Sequence, residues 1–319
     1  MRDDMEPKDR DPLVTTVNMI GDSYTFLIIR EAFFGAARFE AFAAGLHISR
    51  ARLSERLKHL VRLGIFEKRA CAQASGRYLY GLTIKGLSLF QIALALHEWG
   101  EKWRPQHTHN TLCHQMCGTP IAQKTICLSC HEEVRYEDII WPSSPILMPC
   151  ARDTNTVRGW RQTGPLSHVY KRDGATAKTL EAIGDRWSML IMYLSLHGPF
   201  RFKEARHSLG VSDNILSKRL KHLIHQNLLI QETALGIQTY APTHAGMALL
   251  PAVLAQRMWA RQWERWPDTP DTKHQWTELH HTSCGEALET KCVCTACEHV
   301  IFPGDVTLRE ARERPDAKP

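Results

Sequence analysis

Two stretches concentrate side chains that bind soft metal ions: "HQMCGTPIAQKTICLSC" at 114–130 and "HTSCGEALETKCVCTAC" at 281–297. Each reads His, two residues, Cys, nine residues, Cys, two residues, Cys. The first offers His114, Cys117, Cys127 and Cys130, the second His281, Cys284, Cys294 and Cys297. Every ligand-type residue of the second stretch lies 167 positions after its counterpart. Two intervening residues let both ligands of a tight turn face one ion, and a second such pair closes a tetrahedron. One His and three Cys suit Zn2+. Four protein ligands leave no coordination position for water, so two structural zinc sites, one per stretch, are expected rather than a hydrolytic metal.

The rival arrangement is a set of disulfides. The chain opens with no secretory signal, and a cytoplasmic setting keeps such thiols reduced, which favours zinc. Of the ten cysteines, Cys71, Cys113, Cys150 and Cys292 remain. Cys113 and Cys292 adjoin ligands without a counterpart in the other stretch, so they are bystanders or substitute ligands. His107 and His109 lie just upstream of the first stretch and could supply a ligand in place of His114, but His114 is the one whose partner is His281, so they are set aside.

The elements that position these residues emerge from a repeat. The segment "IGDSYTFLIIREAFFGAARFEAF" (20–42) aligns without a gap with "IGDRWSMLIMYLSLHGPFRFKEA" (183–205), and "LSERLKHL" (53–60) with "LSKRLKHL" (216–223). Further on, Trp99 and Trp103 match Trp259 and Trp263. In each copy Asp22 or Asp185 is an expected helix N-cap. "GAARF" or "GPFRF" then reads as a break with a short extended piece, followed by a small helix. Ser49 or Ser212 caps a further helix, running to about Leu63 or Gln226, whose Leu53, Leu57 and Leu60 match Leu216, Leu220 and Leu223. That spacing of four and three makes one buried face. A hairpin follows, its tip near Gly76 or Gly236, and then a long helix whose Trp stripe belongs in the core or a dimer interface.

Helix, helix, recognition-type helix and hairpin make a winged helix-turn-helix. The expected fold is therefore mainly α with small β wings: two winged helix-turn-helix domains (12–104 and 174–266), each followed by a small zinc-ribbon-like knuckle (105–141 and 267–308). A linker over 142–173 joins them, and residues 1–11 and 309–319 are expected to be disordered. At 319 residues the chain is long enough for two cores. Forty basic against thirty-four acidic side chains, a net +6, favour a polyanionic partner. No apolar run approaches the roughly 18 residues of a membrane helix, so a cytoplasmic protein is expected. A phosphate-binding Gly loop, a nucleophile elbow and an open metal position are all missing, which argues against an enzyme.

"IGD(S/R)(Y/W)", "GxxRF", "LS(E/K)RLKHL", the turn before Gly86 and the closing aromatic helix together resemble the HxlR-type winged-helix transcriptional regulators. The resemblance covers about residues 12–139 and 174–306. It implies binding to double-stranded DNA as a dimer, with the terminal helices at the interface. Two copies in one chain allow either an intrachain pseudo-dimer or a homodimer with four heads. Many redox-sensing members carry a Cys where this chain has Asp11 and Gly174, so thiol sensing by that route is not expected.

A recognition helix offers its N-terminal turns to base edges while flanking cations hold phosphates. The expected DNA-binding face in copy one is Arg50, Arg52, Ser54, Arg56 and Lys58, and in copy two Asn214, Ser217, Lys218, Arg219 and Lys221, next to Asp213. Arg56 and Arg219 read as phosphate anchors, and Arg50 and Asn214 as base readers for guanine and adenine. Lys68, Arg69 and Arg77 are wing candidates. His59 and His222 either touch phosphate or cover the core edge, the commoner role. The rival function is a protein-interaction and dimerisation module in which one helix-turn-helix no longer binds DNA, motivated by Asp213 and the less basic second wing. Zinc or oxidant sensing by the Cys3His sites is compatible with either.

Overall fold

The computed structural model describes residues 9–46, 48–70, 78–104, 110–142, 147, 174–234, 236–264 and 275–310. Arg77, the first hairpin tip at Gly76, Cys71, Cys150, His107, His109, most of the 142–173 connection and most of both chain ends lie outside the described residues.

After a two-residue strand β1 (Asp9–Arg10), the first repeat runs α1 (Pro12–Ile20), α2 (Ser23–Phe33), α3 (Phe39–Gly45) and α4 (Arg50–Arg62). It continues through the hairpin β2 (Phe66–Ala70) and β3 (Tyr78–Leu82), a single turn α5 (Ile84–Leu87) and α6 (Phe90–Trp103). Three strands form the first knuckle: β4 (Asn110–His114), β5 (Gln123–Cys127) and β6 (Ile139–Ile140). The second repeat reproduces the order as α7 (Gly174–Ile183), α8 (Arg186–Leu196), α9 (Phe202–Leu209), α10 (Asp213–His225), β7 (Leu229–Ala234), β8 (Ile237–Pro242), α11 (His244–Met247) and α12 (Leu250–Trp263). It ends with β9 (Gln275–Trp276), β10 (His280–His281), β11 (Thr290–Cys294) and β12 (Val306–Glu310). Among the described residues no helix is long and apolar enough to cross a membrane.

Local chemistry sets the boundaries. Asp22 accepts from the Thr25 amide and Asp185 from those of Trp187 and Ser188, so both aspartates cap as expected. Ser49 caps α4 through the Arg52 amide, whereas Ser212 holds the same position on α10 without a side-chain cap bond. The extended piece before α3 and α9 bridges the wing hairpin, Tyr80 donating to the Ala37 carbonyl at 2.7 Å and Tyr240 to that of Phe200 at 2.9 Å. Leu53, Leu57 and Leu60, like Leu216, Leu220 and Leu223, are buried against this frame.

The repeats embrace through their first and last helices. α1 packs on α12 and α7 on α6, while α6 and α12 also meet. Matching bonds stitch the seam: Thr16 Oγ1 donates to the Gln256 carbonyl at 2.8 Å and Thr179 Oγ1 to that of Leu96 at 2.7 Å. Trp99 Nε1 donates to the Ala245 carbonyl and Trp259 Nε1 to that of Lys85. The Trp stripe is thus part of the interface between repeats. Gly100 is needed there, since a Cβ would come within 2.2 Å of the Ala175 carbonyl oxygen.

The knuckles are not the separate appendages expected from their spacing. Their strands pair across repeats: β4 with β12, β5 with β11 and β6 with β10, all antiparallel. Cys127 stands opposite Thr290, and Cys294 opposite Gln123.

Candidate nucleic-acid interface and metal centres

On α4 and α10 the expected DNA-facing residues divide. Arg50, Arg52 and Lys58 are exposed and Ser54 is half-buried; Asn214, Lys218 and Lys221 are exposed, with Ser217 and Arg219 half-buried. Arg50 stacks its guanidinium over the Phe39 ring at 4.8 Å and reaches Glu40 at 3.5 Å. In the second repeat Asp213 pairs with Arg206 at 3.3 Å.

Arg56 does not share that exposed face: it is 3% exposed. Residues two apart on a helix point to opposite sides, so Arg50 to Lys58 in alternate steps cannot form one stripe. Arg56 stands three residues after Leu53 and four before Leu60, which turns it toward the core. Its Nε and Nη2 donate to Asp22 Oδ1 at 3.1 and 2.9 Å. Arg219 makes the same contact with Asp185 at 3.2 Å but retains more exposure. The Asp of "IGD" thus both caps one helix and clamps the recognition helix, a role signalled by its pairing with Arg in both copies.

His59 and His222 cover the core edge. Their Nε2 atoms lie 3.0 and 3.1 Å from the carbonyls of Met19 and Ala182, and burial lowers the His59 pKa. On the first wing Lys68 sits 3.6 Å above the Tyr78 ring and Arg69 pairs with Glu67 at 2.5 Å. The corresponding strand of the second wing exposes Gln231 and Glu232.

The His and Cys side chains gather into two clusters, each drawn from both repeats. His114 and Cys117 join Cys294 and Cys297, while Cys127 and Cys130 join His281 and Cys284. The expected ligands are all used, but the one-stretch-per-site pairing is wrong. The cross-repeat strands carry each CxxC turn to the other repeat's HxxC turn. All four turns have the same build, the amides of Gly118, His131, Gly285 and Glu298 donating to the carbonyls of His114, Cys127, His281 and Cys294. Those four donors have positive φ, at no steric cost for Gly118 and Gly285.

An ion at about 2.3 Å from sulfur and about 2.1 Å from nitrogen in a tetrahedron implies edges near 3.8 Å (S–S) and 3.6 Å (S–N). Cys117 Sγ lies 3.8 Å from Cys294 Sγ and 3.5 Å from His114 Nδ1, and Cys297 Sγ lies 3.4 Å from the same nitrogen. In the other cluster, Cys130 and Cys284 Sγ lie 3.3 and 3.6 Å from His281 Nδ1. The donor sets fit a tetrahedral metal. Hydrogen bonding by the Thr119 hydroxyl and amide pulls the Cys117 thiol down to about 6, toward the thiolate that a metal takes. Cys113 and Cys292 are buried outside both clusters, and burial pushes the Cys292 thiol up to about 11.

Comparison with known proteins identifies the two helix-turn-helix repeats. The model of the HxlR-like helix-turn-helix family matches residues 19–108 and again 182–267. The chain is similar to an uncharacterized HTH-type transcriptional regulator of Mycobacterium tuberculosis (strain CDC 1551 / Oshkosh), 37% identical over 39% of this chain and 79% of the relative. It is also similar to the HTH-type transcriptional regulator YodB of Bacillus subtilis (strain 168), 33% identical over 25% of this chain and 75% of the relative. Among solved structures it resembles PA1607, a proposed transcription factor, at 30% identity and a TM-score of 0.37, over 41% of this chain and 91% of the other. A family match that occurs twice, over both helix-turn-helix repeats, makes the chain a member of the HxlR-like helix-turn-helix family of transcriptional regulators.

Proposed function

We propose that this protein is a cytoplasmic, sequence-specific DNA-binding regulator whose single chain supplies two reading heads, α4 and α10, as an intrachain pseudo-dimer. The observation that carries the reading is the exposure of polar and cationic side chains on two recognition helices joined by an interlocked seam. Arg50 suits guanine and Asn214 adenine, and Arg52, Lys58, Lys218 and Lys221 suit phosphates, with Ser54 and Ser217 as lesser contacts. Arg219 retains enough exposure to reach phosphate as well as Asp185. Arg77 is proposed as a contact of the first wing. Because the two helices differ in side chains, they should read unlike half-sites. Zn2+ fills both Cys3His clusters and has a structural role, since no ligand position is left for a substrate.

The test is selection from random duplex DNA with zinc-loaded protein. Two unlike half-sites at fixed spacing support the reading; no enrichment at physiological salt defeats it. A second reading makes the second head an interaction surface, favoured by Gln231 and Glu232 standing where the first wing has Lys68 and Arg69. Recovery of a single half-site would support that reading.

A further inference from the structure

The two halves of the molecule differ at one place that the fold duplicates. In the second half it is solidly filled. Trp141 packs on His197 and Tyr193, with ring centroids 4.8 and 6.2 Å away. Beside it the Asp11 carboxylate accepts from the Tyr193 hydroxyl at 2.7 Å and from Arg257 Nη1 at 2.6 Å. Ring and carboxylate thus occupy one pocket, both supplied by the chain itself.

The repeat alignment gives the corresponding residues of the first half. Leu308 replaces Trp141 and Gly174 replaces Asp11, so neither ring nor carboxylate is present. Arg30 and His97 replace Tyr193 and Arg257, so the polar side chains that face a carboxylate are retained in kind. What results is a cavity of about 120 Å³ between α2, α6, α7 and β12. Arg30 and His97 lie in its wall with Phe33, Phe90 and Leu94, and Phe34 and Leu308 are exposed at its rim. An apolar cavity of about 150 Å³ accepts one benzene ring, so the available space is that of a single ring. Arg30 already pairs with Glu31 at 2.7 Å, and a guanidinium has donors for more than one acceptor.

We propose that this cavity binds a single-ring aromatic carboxylate, its ring taking the place that Trp141 fills in the other half and its carboxylate facing Arg30 and His97. The ligand would touch α2 and α6 of the first repeat together with α7 and β12 of the second, bridging the halves.

Titration calorimetry of the zinc-loaded full chain with benzoate, and with benzyl alcohol as the uncharged probe, tests this without DNA, so its outcome is independent of the proposed function. One benzoate per chain, bound at least about tenfold more tightly than the alcohol, is expected, a difference of about 1.4 kcal/mol. Leu308→Trp, which copies the filled half, should weaken benzoate at least tenfold. Ala93→Val, which copies Val253 of the filled half and alters the wall by two methyl groups, should weaken it as well and serves if the larger change perturbs folding. No binding of benzoate, equal binding of the alcohol, or benzoate affinity unchanged in both variants would each overturn the assignment.

Discussion

The guanidinium of Arg56 lies 2.9 Å from the carboxylate of Asp22, inside the first repeat, and both side chains are largely withdrawn from water. This ion pair ties the recognition helix to the cap of the helix beneath it, and Arg219 with Asp185 repeats the tie at a more exposed position. Removing one member of a buried pair leaves the other charge uncompensated, at a cost of about 3 to 5 kcal/mol. Arg56→Ala should therefore lower unfolding free energy by that order in urea denaturation. Arg219→Ala, whose own side chain is 35% exposed against 4% for Arg56, should cost about 1 kcal/mol or less. Equal losses for the two would refute the assignment of Arg56 to the scaffold.

The shared metal clusters predict an unusual pattern of metal loss. Cys117→Ser with Cys297→Ser damages one cluster, so the double variant should retain one zinc equivalent per chain. Cys117→Ser with Cys130→Ser damages both, and retention should approach zero. Atomic emission on purified protein distinguishes this from one-stretch-per-site binding, for which the two results would be exchanged.

On DNA, a base reader and a phosphate contact lose affinity differently. Asn214→Ala should cost about 1 to 3 kcal/mol on the preferred site and relax preference at a single position. Lys58→Ala should weaken all sequences alike and reduce the salt dependence of log K by about one. Fluorescence anisotropy over a salt series measures both, and preserved sequence preference in Asn214→Ala would count against base reading.

His197 makes stability pH-dependent. Burial pulls its imidazole down to about 4, from an ordinary value near 6.5. The unfolded chain takes up a proton near pH 6.5 and the folded one only near 4, so this contribution is complete above 6.5 and falls away toward 4. About 3 kcal/mol is lost across that window. His197→Phe, which installs the residue found at Phe34 in the other repeat, should remove this part of the slope. Acid effects on the thiolates are common to both proteins and cancel in the difference; identical slopes would contradict the expectation.

The seam predicts that the repeats unfold together. Trp99→Phe leaves the Ala245 carbonyl without its 2.8 Å donor, at a cost of about 1 to 3 kcal/mol. The shift should appear in a single transition followed by probes in either repeat. Two separated transitions would show that the halves are independent.

Much of this was legible in the residues. Period and caps located α4 and α10 because Leu53, Leu57, Leu60 and their twins leave one way to bury a face, and Ser49 marks a start. The metal ligands were legible as a set, but their pairing was not: four turns of equal chemistry can be matched in two ways, and only the cross-repeat strands choose. Arg56 was misassigned because a cation on a basic helix reads as a surface residue until Asp22 is seen across 34 positions of chain. The filled and open versions of one pocket were hidden because they depend on Trp141 and Leu308, each far in sequence from the walls it meets.

The interlocked clusters also set an order of events at the ribosome. When the first knuckle emerges, His114, Cys117, Cys127 and Cys130 are in hand, yet the side chains they gather with in the finished protein follow much later: His281 trails Cys130 by 151 positions and Cys297 trails His114 by 183. At about 5 to 20 residues per second that delay is roughly 8 to 40 s. During it the first set of thiols stands without its finished neighbours, so each cluster can close only after the second repeat has been made.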